Sequence, residues 1–516
     1  MTRAIKRLII RVHLYLGVAL SALFMVWFAS GIVMMYQGYP GLTTAERFAA
    51  IPVLDCGQCR VFPGVAITIA GQSSPATPLR LGMLHDRPVW RVATPQGQWR
   101  AVFADTQAVV PPLMPTASAE VARAFLGVNP GAVRWHSTLR DADQWTLTRT
   151  VRDQLPLHRI DVDDADGTRV YVSPAAAEVV SMSTRRERLL AWFGAIPHWI
   201  YPTLLRRHTN AWAWLVIAVS GLGTLMCVAG LAVGGWQLRW RRRNRPDGSM
   251  TPRTPYRDRM MRWHHWLGFG IGTFACTWVF SGLMSMNPGD WSPGSSPSSA
   301  QRRVWSGGDI APTSVTVSPA IAWQSLRQAG RAPRELQVVR LAGEHFWVGY
   351  DTPTRTARVS AYRADTDRVE SAASPVDSAW PVDALIARAR VLFGDARLEG
   401  ATLLTEYDDY YRDPERQRPL PIMRLIFDDP ERTWLYIDPR TGEIAARYVT
   451  RSRLERWLYA GLHDFDFAWL AYRRPLWDVV VILLSLGGML LSATGVVLTW
   501  RYARSLGTGQ RHLRRR

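Results

Sequence analysis

The residues of this 516-residue chain best suited to chemistry are histidines that recur at fixed distances. His13 and His264 lie 251 residues apart, and Arg11, Leu16, Gly17, Trp27, Ser30 and Gly31 map by the same shift onto Arg262, Leu267, Gly268, Trp278, Ser281 and Gly282. His198 and His463 lie 265 apart, as do Trp192 and Trp457, Trp212 and Trp477, Ser220 and Ser485, Gly223 and Gly488, and Gly230 and Gly495. Neutral imidazole nitrogen is a good ligand for iron. A flat iron macrocycle takes one axial ligand on each side, and in helical bundles such ligands project from facing helices. A histidine repeated in two halves of one chain therefore suggests a ligand pair. His13 with His264 and His198 with His463 are the candidate cofactor-binding residues, each pair holding iron through its imidazoles. Gly17 and Gly268 follow one helical turn after His13 and His264 on the same face, where a missing side chain leaves room for a macrocycle edge. Two rivals stay open. His208 could replace His198, although its repeat partner is Arg473, and His265 adjoins His264 but points about 100° away on a helix.

Four apolar runs must position these side chains. The mean hydropathy of −0.08 reads like a soluble protein, yet residues 14–36, 212–236, 267–286 and 477–500 are nearly free of charge. Each is close to the roughly 20 residues that span a bilayer as a helix. The formal charge of +20 is concentrated beside these runs. Arg3, Lys6, Arg7 and Arg11 precede the first. Arg239, Arg241, Arg242, Arg243, Arg245, Arg253, Arg257, Arg259 and Arg262 fill the short segment between the second and third. Arg501, Arg504, Arg511, Arg514, Arg515 and Arg516 follow the fourth. Short arginine-rich segments stay in the cytoplasm, which puts both termini inside and both long loops outside. The basic balance thus belongs to membrane lipid and not to nucleic acid. The basic start and apolar run of the N-terminus resemble a signal peptide. The run is too long and lacks a small-residue cleavage site, so it reads as a retained anchor.

Each long loop has the length of a folded domain. The expected organisation is a cytoplasmic start and first span (1–36), a periplasmic domain (37–190), an interfacial segment and second span (191–236), a basic loop (237–261), a third span (262–286), a linker and second periplasmic domain (287–455), an interfacial segment and fourth span (456–501), and a basic tail (502–516). Residues 118–126 and 382–392 have helical apolar spacing. Residues 145–151, 157–162 and 168–172 read as strands. Residues 433–437 and 443–444 form a hairpin around Asp438-Pro439-Arg440-Thr441-Gly442, where Pro and Gly are turn residues. The first copy has Ala177 in place of Gly442, a less favourable turn residue. Cys56 and Cys59 form a Cys-x-x-Cys in the first outer loop, read as a small structural disulfide in an oxidising compartment in preference to a redox-active pair, whereas Cys227 and Cys276 lie in spans and read as packing residues.

The hairpin Tyr436-Ile437-Asp438-Pro439-Arg440-Thr441-Gly442-Glu443 resembles a PepSY domain. His13-Leu14-Tyr15-Leu16-Gly17 and His264-His265-Trp266-Leu267-Gly268 resemble the opening of PepSY-associated transmembrane helices. The resemblance covers nearly the whole chain. It implies an α-helical membrane protein with four transmembrane helices plus two periplasmic α+β (PepSY-like) domains, built by internal duplication, in the bacterial inner membrane. Some iron-regulated members of this family resemble di-haem ferric-siderophore reductases. The expectation is therefore two haem b groups moving electrons outward, to a periplasmic ferric chelate as acceptor. No serine triad or metalloprotease helix appears, and Gly268-Phe269-Gly270-Ile271-Gly272 lies in a span rather than in a dinucleotide loop. Electrons would then come from a separate cytoplasmic reductase or from membrane quinol. The competing reading is a non-enzymatic accessory protein that regulates a periplasmic protease or an iron transporter.

Overall fold

The computed structural model describes residues 2–71, 79–93, 98–238, 253–309, 314–362, 375–413 and 418–513. Of the basic residues named above, Arg239 to Arg245 and Arg514 to Arg516 lie outside these. The chain forms two compact units. One comprises Met1–Tyr39, Leu189–Ser292 and Leu454–Arg516, and the other Pro40–Arg188 and Pro293–Arg453. The protein is of mixed α+β type. Among the described residues, four helices are long and apolar enough to cross a membrane: Arg3–Met34, Thr209–Gln237, Arg259–Ser285 and Leu476–Ser505.

All four spans lie in the first unit. The first and third begin well before their apolar runs because the basic turns ahead of them are good helix formers with a cap. Thr2 accepts from the Ile5 amide and Asp258 from the Met261 amide. The first span packs on the second and fourth, and the third on the same two. Leu20, Phe24, Phe28, Met226, Ala275, Trp278, Val279 and Val481 fill the centre. Glycines let the backbones close in, as expected where lipid supplies no hydrophobic drive between helices. A Cβ at Gly223 would lie 2.9 Å from the Phe24 ring, and one at Gly488 2.7 Å from the Phe28 ring.

The second unit is built on antiparallel sheets. The first long loop supplies β1 (Leu79–Leu84), β2 (Arg87–Ala93), β3 (Trp99–Phe103), β4 (Val133–Leu139), β5 (Leu157–Val162), β6 (Arg169–Ser173) and β7 (Glu178–Ser183). The second supplies β8 (Glu335–Leu341), β9 (Glu344–Thr352), β10 (Arg355–Ser360), β11 (Val376–Asp377), β12 (Leu398–Leu404), β13 (Ile422–Phe427), β14 (Trp434–Ile437) and β15 (Ile444–Tyr448). Two four-stranded sheets run in the orders β4-β5-β6-β7 and β12-β13-β14-β15. A seven-stranded sheet, β11-β10-β9-β8-β1-β2-β3, joins the two loops through antiparallel pairs such as Leu79 with Val338. No periodicity in the sequence announces this shared sheet. A buried ionic cluster ties the same seam: Arg47 bonds Glu335 at 2.7 Å, while Arg80 and Arg91 converge on Glu178. Burial alone would raise the Glu178 carboxyl, but Arg80, Arg91 and Arg47 overcome it and hold it below its ordinary range.

Helices Pro115–Leu126 and Val382–Phe393 stand where helical spacing puts them, and β5 and β6 match their expected strands. Residues 145–151 do not form a strand. The Asp143 carboxylate accepts from the Trp145 amide and from the Thr146 hydroxyl, a local turn that competes with a ladder, and one helical turn, Arg149–Arg152, follows. The hairpin of β14 and β15 turns through Gly442 at φ 74°, and Ala177 takes the matching position at φ 52°, accepting a left-handed conformation that glycine would adopt without strain. Cys56 and Cys59 are joined by a disulfide and buried in the core of the seven-stranded sheet.

Candidate ligand site at two histidine pairs

The spans bring the histidines together as the repeat suggests. His13 on the first span and His264 on the third face each other with ring centroids 6.1 Å apart and planes 42° from parallel. His198 ends a short helix, Ala195–His198, and His463 follows an irregular helical turn, Trp457–Gly461. Their centroids are 5.9 Å apart and their planes 76° from parallel. The second pair is held at the far end of the same helices, since His198 bonds to the first span at Trp27 and Ser30 and His463 to the third at Trp278 and Ser281. From His13 to Trp27 is 14 residues, about 21 Å of helix at 1.5 Å per residue.

The hydrogen bonds decide which nitrogen each imidazole offers. His13 Nδ1 lies 3.0 Å from the Met226 carbonyl. His264 Nδ1 lies 2.9 Å from Thr494 Oγ1, whose own proton goes to the Leu491 carbonyl at 2.6 Å. His198 Nδ1 is 3.1 Å from Ser30 Oγ and 3.2 Å from the Trp27 carbonyl, and Ser30 donates to that same carbonyl. His463 repeats this with Ser281 Oγ at 3.0 Å and the Trp278 carbonyl at 3.2 Å. A carbonyl only accepts, and the Thr494, Ser30 and Ser281 hydroxyls have already spent their protons. All four Nδ1 atoms therefore donate, and each Nε2 is left with a lone pair. Among the described residues no Nε2 of the four has a partner.

The glycines that meet the histidine rings are not the two that the His-x-x-x-Gly spacing singles out, which border mostly open space. A Cβ at Gly17 would meet nothing within 4 Å, and one at Gly268 only Leu491 at 3.8 Å. The close approaches are Gly230, where a Cβ would sit 2.5 Å from His13 Cε1, and Gly495, where it would sit 2.8 Å from Ser21 Oγ and 3.8 Å from His264 Cε1. At the second pair Gly31 and Gly282 stand 3.6 and 3.7 Å from the Cε1 atoms of His198 and His463. Thus Gly31 with Gly282 and Gly230 with Gly495 are matched by the same offsets as the histidines.

The rival histidines stand apart. His265 is buried with both nitrogens engaged, Nδ1 by Thr254 Oγ1 at 2.9 Å and Nε2 by the Gly234 carbonyl at 3.0 Å. His208 is exposed at the start of the second span, with no histidine beside it. Trp27 and Trp278, another matched pair, carry buried indole N–H groups without a partner. The repeat already marks Trp27, Ser30, Gly31 and their counterparts. Nothing in the sequence marks Met226 or Thr494, because one acts through its backbone and the other matches Ala229.

No protein-family model matches the chain, and no curated protein is significantly similar to it. The chemical fit therefore rests on the donors themselves. A metal–nitrogen bond of about 2 Å on each side, plus just over 1 Å from Nε2 to each ring centroid, calls for centroids about 6 Å apart. Both pairs meet that separation. The two rings of a pair are free to turn about the metal–nitrogen axis, so 42° and 76° are equally compatible. Donation from Nδ1 to a fixed acceptor is the arrangement that orients ligating histidines.

Proposed function

We propose that this chain is a bis-histidine haem protein of the bacterial inner membrane. Its two haem b groups would move electrons between the faces, toward ferric iron in a periplasmic chelate. The observation that carries the reading is the pair of facing imidazole couples, each with Nδ1 held and Nε2 free. His13 and His264 would hold one haem and His198 and His463 the other, and the haem supplies a one-electron couple at each. Met226, Thr494, Ser30, Ser281 and the Trp27 and Trp278 carbonyls would fix the tautomer and aim of the imidazoles. Phe24, Phe28, Trp27 and Trp278 keep water out of the layer between the two levels, where a low dielectric and burial raise the influence of each ligand and hydrogen bond on redox potential. The arginine-rich short segments would keep both termini in the cytoplasm. The matched contacts support an internal duplication, and the two four-stranded sheets with their helices support the likeness to PepSY domains.

Redox difference spectroscopy with haem quantification on the purified protein tests this. The expected result is a reducible low-spin bis-histidine spectrum and about two haems per chain. A colourless, haem-free protein from haem-replete cells would refute it and favour an accessory role in which His13 and His264 are dispensable.

A further inference from the structure

The second and third spans run antiparallel, and three close contacts set their register. A Cβ at Gly223 would lie 3.0 Å from Val279, one at Gly272 3.6 Å from Leu231, and one at Gly234 3.8 Å from His265. One helical turn inward from the first two contacts, the register puts Cys227 opposite Cys276. The two thiols interact electrostatically with each other, and neither is in a disulfide. The repeat does not require them: Cys227 matches Ser492 and Cys276 matches Met25. The pair is thus an addition to one side of the bundle. Its place is also specific. Cys227 follows Met226, whose carbonyl holds His13, and precedes Gly230, which gives His13 its space.

We propose that Cys227 and Cys276 are an oxidisable dithiol whose closure to a disulfide cross-links the second and third spans beside the His13–His264 pair. Two S–H bonds break and one S–S bond forms. Two electrons and two protons pass to a quinone, which becomes the quinol. Quinones dissolve in a hydrocarbon layer, and the two helices are in contact along this register, where a disulfide forms once the paired Cα atoms come within about 7 Å. The bond fixes the segment of the second span that carries Met226 and Gly230, so His13 loses the freedom to move with it.

The test uses the full-length protein in detergent, treated with tetramethylbenzoquinone or with diamide, then denatured, alkylated without reduction and digested with trypsin. Cleavage after arginine places Cys227 in residues 208–239 and Cys276 in residues 263–302. The expected product is these two peptides joined, two hydrogens lighter than their sum and separated by dithiothreitol. Neither Cys227→Ser nor Cys276→Ser should yield it, and each keeps a small side chain at the contact, so either one serves if the other fails to fold. Recovery of both peptides singly, each alkylated, after both oxidants overturns the proposal. So does linkage of either cysteine to a second copy of the chain. Linkage by diamide alone overturns the quinone as oxidant.

Discussion

Gly230→Ala strikes the first histidine pair without touching a ligand. The new methyl would sit 2.5 Å from His13 Cε1 and 2.8 Å from Nδ1. Both distances are inside contact range, so the imidazole must swing away, at the expense of its 3.0 Å bond to the Met226 carbonyl. Replacing glycine by alanine in a helix would by itself favour the helix by about 1 kcal/mol. Overpacking costs about 1–3 kcal/mol and the lost hydrogen bond about 1 kcal/mol, so a net loss of about 1–3 kcal/mol remains, or about 5- to 150-fold in the affinity of that pair. Gly495→Ala is the internal control. Its methyl meets Ser21 Oγ at 2.8 Å but stays 3.8 Å from His264, an ordinary contact. Haem-to-protein ratio, measured as the pyridine complex, should fall from about two toward about one in Gly230→Ala and fall less in Gly495→Ala. An unchanged ratio in Gly230→Ala, or a greater loss in Gly495→Ala, would show that His13 does not hold a cofactor in the orientation seen.

Other outcomes follow from the same contacts. His264→Ala and His463→Ala should each remove one low-spin haem signal, whereas His208→Ala should keep both. His265→Ala should also keep both but lower thermal stability by about 2–4 kcal/mol, because the Thr254 hydroxyl and Gly234 carbonyl lose their partner; loss of a haem signal there would reassign the ligand. The Glu178 carboxyl is held low in the folded state, so it stabilises the shared sheet above the ordinary carboxylate pKa, and that stability fades as pH falls through its lowered value. Glu178→Gln should therefore flatten the acid limb of a pH-stability curve, and a curve as steep as that of the unaltered protein would contradict the ion cluster's role. Replacing both Cys56 and Cys59 by Ser should cost about 2 kcal/mol, the loop-closure value for so short a ring, and leave haem content unchanged. A change in haem content would link that bond to the site.

The sequence by itself determined four helices long and apolar enough to cross a membrane, because a helix that crosses a bilayer core needs about 20 apolar residues with their backbone bonds internal. It also determined the partners of each histidine, since offsets of 251 and 265 carry His13 onto His264 and His198 onto His463. The helices Pro115–Leu126 and Val382–Phe393 and the Gly442 turn were legible for local reasons, apolar period and left-handed backbone. Tertiary structure alone decided the rest. Which glycine makes room for His13 depends on the neighbouring helix, so Gly230 on the second span matters where Gly17 on the same helix does not. Which nitrogen is free depends on carbonyls and hydroxyls brought in from other spans, Met226 and Thr494 among them. The sheet shared by the two long loops rests on pairing between residues such as Leu79 and Val338, a register that no local pattern encodes because strand edges carry no sequence label for a distant partner.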